Sequence, residues 1–320
     1  MKRKVIKQGH NTLTITLPRK WTEKQGIKAG DEIELEENDH HLKISSGFKQ
    51  IKVPLNLDLK KVSIANSRVY ISNAYKLGFD EIHVVFNNFS DFINIQKKVD
   101  RLLGFEIISN TKNSCKIKVI SLINKEEFFN IFKKSYQLNL VTFELLKNDM
   151  LKCEYLHFDV IEQYHLKVIS FTDYCRRLIN KYTIYDGKSD KSIYVLLLKI
   201  NYINTVMRDI YKYLADKKCK LDKNIYKFFI KSEEMYRSVF EGYFKENLSD
   251  IDYGINLKKR LYDEEGSRLL EKSKGVNSVI ICKILELIKY IYSSTGPMIT
   301  IIYGKNSFNF KTLSFLEIVE

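Results

Sequence analysis

Three patterns along this 320-residue chain predict a multidomain fold. Apolar residues alternate at period two before residue 48, helical and extended stretches alternate over residues 50–122, and beyond residue 124 apolar residues recur at three and four. The expected architecture is an all-β N-terminal module completed by a second copy, a small α/β middle region and an all-α C-terminal region of six helices in two three-helix bundles. The corresponding boundaries are 1–48, 50–122 and 123–304, with a tail over 305–320.

Charge sets the first module apart. Residues 1–30 carry Lys2, Arg3, Lys4, Lys7, Arg19, Lys20, Lys24 and Lys28 against the single acid Glu23. Residues 31–48 reverse the sign, with Asp31, Glu32, Glu34, Glu36, Glu37 and Asp39 against Lys43. One face of such a dipolar module suits an anion. Leu13, Ile15 and Leu17 alternate with Thr14 and Thr16 as a half-buried strand that ends at Pro18. Pro18 suits the first turn of a short helix through Trp21 to Gln25, and Gly26 supplies the left-handed position that stops it. After the Gly30-Asp31 turn, Ile33 and Leu35 alternate with glutamates, and Asn38-Asp39 turns the chain into Leu42 and Ile44. So few short strands cannot bury a core alone, so the module is expected to pair with a second copy.

The stretches Val5-Ile6-Lys7-Gln8-Gly9, Leu13-Thr14-Ile15-Thr16-Leu17-Pro18-Arg19-Lys20-Trp21, Gly26-Ile27-Lys28-Ala29-Gly30-Asp31 and Ile33-Glu34-Leu35 together resemble the SpoVT/AbrB family of DNA-binding domains. The likeness is greatest to the form that archaeal proteins carry before a PhoU-like region. The resemblance implies a dimeric barrel of interleaved, swapped hairpins whose first strand, following loop and short helix meet DNA. By position it assigns DNA contact to Arg3, Lys4, Lys7, His10, Arg19 and Lys20, and Lys2 joins them by its charge.

The middle region reads as strand Ile51–Leu55, helix Leu59–Leu77, strand Glu81–Phe86, helix Phe89–Leu103 and strands Phe105–Ser109 and Cys115–Ile120. Gly78 and Gly104 each close a helix before a strand and belong to no GxGxxG or Walker pattern. The phrases Ala74-Tyr75-Lys76-Leu77-Gly78-Phe79-Asp80-Glu81-Ile82 and Leu102-Leu103-Gly104-Phe105-Glu106-Ile107-Ile108 resemble the middle of the same archaeal proteins.

In the third region Phe129, Phe132, Tyr136, Leu140 and Phe143 form a helical stripe, with Asn124 and Glu127 as a capping box. Five further helices are expected near 156–182, 191–216, 221–247, 250–273 and 277–302, with breaks at Tyr185-Asp186-Gly187-Lys188-Ser189 and Lys274-Gly275. Their number and length resemble PhoU, a phosphate-signalling regulator. PhoU-like bundles hold metal through carboxylates at i and i+4, but the matching positions here are Asn201 and Thr205 in one repeat and Glu286 and Tyr290 in the other. The surviving acid pairs, Asp186 with Asp190 and Glu246 with Asp250, fall at helix boundaries, so no metal site is expected.

No catalytic residue is expected either. His157, His165, Glu162 and Cys175 are near in sequence but carry no nucleophile signature, and His40-His41 would point to opposite faces of a strand. Phe228, Phe229, Tyr236 and Phe240 read as core. The net charge of +14, from 53 Lys and Arg against 39 Asp and Glu, favours polyanionic partners. With 44% hydrophobic residues, 3 Pro and 13 Gly, global disorder is excluded. Five scattered cysteines without a CxxC pairing exclude a disulfide framework or zinc knuckle. The start Met1-Lys2-Arg3-Lys4 predicts no secretory signal and a cytoplasmic protein, and Lys283, Glu286 and Lys289 argue against membrane insertion of Val276–Tyr303.

The resulting expectation is a homodimeric DNA-binding transcriptional regulator, with phosphate uptake the process implied by the resemblance. It is not an enzyme and has no cofactor. Its partners are DNA, a second copy and a phosphate-transport or signalling protein. The alternative is an adaptor whose bundle docks on a phosphate transporter or sensor while the N-terminal module only dimerises.

Overall fold

The computed structural model describes residues 2–38, 41–45, 54–121, 127–182, 184, 188–218 and 220–307. The expected turn residue Asp39 and its neighbour His40, the start of the Ile51 strand, the Asn124 cap, the break at 185–187 and the tail beyond 307 lie outside them. The chain divides into two compact units, residues 1–53 and 54–320.

The first unit is two hairpins around a short helix. Strands β1 (Ile6–Gln8) and β2 (Thr12–Thr14) are antiparallel, as are β3 (Glu34–Asn38) and β4 (His41–Ser45). Between the hairpins, α1 (Arg19–Gln25) starts behind Pro18 and ends at Gly26, whose φ of 67° is the left-handed turn expected there. Pro18 itself stands in the cap position rather than in the first turn, with its carbonyl receiving the Trp21 and Thr22 amides. Asn38 pairs with His41 at the end of the second hairpin.

The second unit opens with a four-stranded sheet. Strands β5 (Leu55–Asp58), β6 (Glu81–Val85), β7 (Phe105–Asn110) and β8 (Ser114–Val119) lie in the order β5-β6-β8-β7. Only β5 and β6 are parallel, joined over helix α2 (Ile64–Lys76), while β8 inserts antiparallel between β6 and β7. Helix α3 (Phe89–Val99) starts with a capping box between Asn88 and Asp91. Ile71, Ala74 and Tyr75 of α2 and Ile95 and Val99 of α3 cover one sheet face, Ile82, Val84, Phe105, Cys115 and Ile117.

Two helices are shorter than their sequence patterns suggest. The Asp58 carboxylate captures the Lys60 amide and Val62 turns back to Leu59, so α2 waits until Ile64. At its far end α3 gives way to turns on Val99 and Lys98, which lead to Gly104 at φ 79° and so into β7.

Six rods then pack around one continuous core: α4 (Glu127–Lys152), α5 (Phe158–Lys181), α6 (Lys188–Lys217), α7 (Lys223–Lys245), a composite fifth rod and α10 (Val276–Ser307). The fifth rod, expected as a single helix over 250–273, is α8 (Leu248–Lys258), a π-helical segment (Lys259–Gly266) and α9 (Ser267–Lys272). Its wide turn brings Gly266 against α10, where an added Cβ would stand 2.4 Å from Leu285 Cδ2. In α4 the core stripe is Phe128, Phe132, Tyr136 and Phe143, and the expected Phe129 is exposed beside it. Among the described residues no helix is long and apolar enough to cross a membrane.

The sheet layer is locked to α5. Arg177 is 1% exposed, donates to the Tyr75 and Phe79 carbonyls at 2.8 and 2.7 Å and pairs with Asp80. Its guanidinium lies 5.0 and 4.9 Å from the centroids of the Tyr75 and Phe105 rings, which meet edge to face 4.9 Å apart. Lys181 reaches the same Asp80 oxygen at 2.6 Å.

Candidate nucleic-acid interface

The basic residues of the first unit sit on three successive elements. Lys2, Arg3 and Lys4 lead into β1, Lys7 lies within it opposite Leu13, His10 lies in the hairpin turn behind Gly9 at φ 75°, and Arg19 and Lys20 open α1. All seven are exposed. Among the described residues of these three elements the one acid is Glu23.

Arg19 differs from the others. Its Nε donates to Glu23 Oε1 at 2.8 Å one turn along α1, an exposed i,i+4 pair worth about 0.3–0.5 kcal/mol. The pair leaves the two Nη groups of this guanidinium open to an anion, while Glu23 offsets part of its charge, a pairing that the resemblance does not imply although the spacing is visible in the sequence. Local capping fixes the rest of the loop. The Asp31 carboxylate accepts the Lys28 amide at 2.8 Å, and Gly30 adopts φ 92°.

The apolar side of this unit lacks a cover. Among its described residues none is buried. Of the eight side chains expected inside, Leu13 is 69% exposed and Leu35 59%, with Ile15 and Leu42 also exposed and Leu17, Ile27, Ile33 and Ile44 half-buried. Leu35 pairs with Ile44 across β3 and β4, so the second hairpin carries one apolar face.

The residues considered for chemistry elsewhere are engaged separately. His157 Nδ1 meets Asp149 at 2.9 Å, and Tyr211 donates to the same carboxylate. His165 Nδ1 contacts Asn204 Oδ1 at 2.7 Å, while Glu162 accepts from Arg208 at 2.7 Å. Cys175 is fully buried with its Sγ directed at the Phe128 carbonyl, and burial pushes its thiol far above the usual range. A thiol so held is a poor nucleophile. Asn201 accepts from Thr172 at 2.7 Å, its carbonyl receives the Thr205 hydroxyl, and Tyr290 packs against Tyr202. Among the described residues no three His, Cys, Asp or Glu side chains converge as a metal site.

No curated protein and no solved structure matches the chain. Residues 6–47, which contain both hairpins and α1, match the family model described as antidote-toxin recognition MazE, bacterial antitoxin. Domains of this type bind DNA and dimerise. Residues 6–47 are thus similar to a MazE/AbrB-type, antitoxin-like domain.

Proposed function

We propose that the chain is a homodimeric DNA-binding transcriptional regulator in which two N-terminal units interleave their hairpins into one barrel. The observation that carries this reading is the exposure of Lys2, Arg3, Lys4, Lys7, His10, Arg19 and Lys20 on a domain that matches the MazE family model. The uncovered apolar side supports the second copy, since eight modest side chains, four exposed and four only half-buried in one chain, cannot offset the ordering entropy of the segment.

The finer reading assigns the regulator to phosphate uptake, with residues 123–304 as a PhoU-like sensing or docking bundle and no catalytic step. It rests on the resemblance and on the six-rod arrangement. A second reading is favoured by the antidote-toxin recognition for which the matched family is named. In it the N-terminal unit, or the adaptor bundle behind it, engages a protein partner and the domain serves chiefly to dimerise.

Titration of labelled duplex DNA at several salt concentrations separates the two. Replacing Arg3 and Lys4 by Ala weakens binding and flattens the log–log salt slope by about 0.9 for each phosphate that is no longer neutralised. Unchanged affinity in that variant rules out the assigned contacts, and no binding by the wild type at low salt favours the protein partner.

A further inference from the structure

Where α2, α3 and α5 meet, three cations face one carboxylate and a fourth stands beside them. Asp173 of α5 is buried and accepts from the Ser72 hydroxyl of α2 at 2.9 Å and from Arg176 at 2.6 Å. Lys98, near the end of α3, stands 3.7 Å from the same carboxylate. Lys76, the last residue of α2, and Arg101, just beyond α3, complete the group. Their backbones are tied to α5, because Asn180 donates to the Lys76 carbonyl at 2.7 Å and Ser170 to the Arg101 carbonyl at 2.6 Å.

The charges do not balance. Among the described residues Lys76 and Arg101 form no ion pair, so the single carboxylate of Asp173 faces Lys76, Lys98 and Arg176, with Arg101 adding its charge beside Lys98. Burial lowers the pKa of Lys76, and the Arg176 charge lowers it further. Burial likewise lowers that of Lys98, which also feels repulsion from Lys76 and Arg101. A folded protein keeps like charges at a half-buried junction at a cost in stability, and an anion relieves that cost.

We propose that this junction binds a small phosphate-type oxyanion, held by the ammonium groups of Lys76 and Lys98 and the guanidinium groups of Arg101 and Arg176. Guanidinium supplies paired donors that match such an anion, and the lysines add point charges. The shape selects a small ion. Asp173 and Arg176 close the floor, with the Lys98 side chain only 11% exposed, whereas exposed Arg101 and half-buried Lys76 leave the rim open. The convex backbone of a duplex reaches the rim but not the floor. The site rests on the charge balance within residues 54–320 and is independent of the DNA reading of the first unit.

Thermal melting of the full chain tests it, with inorganic phosphate as the probe against sodium chloride of equal ionic strength. Phosphate raises the melting temperature saturably, by about 5 °C or more at a hundredfold excess over its dissociation constant. Lys76→Met abolishes that rise, yet melts at or above the wild type in chloride because it removes an unpaired cation from a crowded group. The Arg3→Ala/Lys4→Ala variant keeps the rise, which separates this site from the N-terminal basic residues. Glycerol phosphate in a parallel series distinguishes a phosphomonoester from free phosphate, and a saturable rise with either supports the site. No rise with either probe, a rise retained in Lys76→Met, a rise lost in the Arg3/Lys4 variant, or a Lys76→Met protein less stable in chloride overturns the proposal. A rise seen with duplex DNA alone and abolished by Lys76→Met assigns the junction to a nucleic-acid surface and overturns it too.

Discussion

Asp80→Ala is the substitution whose cost the geometry specifies most closely. Asp80 holds two cations at once, Arg177 at 1% side-chain exposure and Lys181 at 12%. Removing the carboxylate strands the guanidinium in the interior, and breaking a buried pair by deleting one partner costs about 3–5 kcal/mol. Lys181 lies nearer the surface and can turn toward water, so it adds little. At about 2–4 °C per kcal/mol for a unit of this size, the melting temperature falls by roughly 6–20 °C. Arg177→Met makes the opposite cut. It leaves Asp80 paired with Lys181, and the Tyr75 carbonyl keeps the Gly78 amide at 3.0 Å, so chiefly the Phe79 carbonyl loses its donor. That costs about 1–3 kcal/mol, less than the aspartate change. Far-UV ellipticity of the full chain against temperature reads both. A loss below about 1 kcal/mol for Asp80→Ala, or a larger loss for Arg177→Met, would refute the lock between sheet and α5.

An isolated segment of residues 1–48 sediments as a dimer when folded, and a folded monomer at low micromolar concentration would exclude the interleaved barrel. Gly254→Ala sets a Cβ 2.3 Å from Val239 Cγ2 where α7 and α8 close together, costing about 1–3 kcal/mol in a urea melt. An unchanged midpoint would mean that the two helices part easily. Burial holds His165 below its ordinary pKa of 6.5, so the unfolded chain takes the proton first and stability declines as pH falls below that value. His165→Gln reduces the decline between pH 7 and pH 5, and an identical decline would show that other groups govern it.

The parts of the fold legible in the sequence are those written locally. Gly26, Gly78 and Gly104 take the left-handed turns their positions demand, and the period-two runs at Glu81–Val85 and Ser114–Val119 become strands. Adjacent aromatics blur a helical stripe, which is why the periodicity selects Phe129 where Phe128 stands in the core. The π-helical segment has no compositional signature, and Gly266 marks it only once its neighbour Leu285 is known. The Arg177–Asp80 lock joins residues 97 apart, and the Asp173–Ser72 contact spans 101. No periodicity encodes such meetings. At the candidate interface the residue types, their order and the i,i+4 spacing of Arg19 and Glu23 are visible in the sequence, whereas the geometry adds that the pair is formed through Nε.

The absence of any buried residue among those described in the first unit also dictates how the protein responds to its own abundance. If the DNA-binding face exists only when two chains meet, then below the association constant's midpoint its amount follows the square of the chain concentration. Doubling synthesis quadruples the competent form. The second unit buries its own two cores within one chain, so its fold does not call for a second copy. On the proposed reading, a cell that changes expression twofold would alter the amount of DNA-competent dimer up to fourfold while the helices of the second unit remain unchanged, a dosage response built from an uncovered apolar surface.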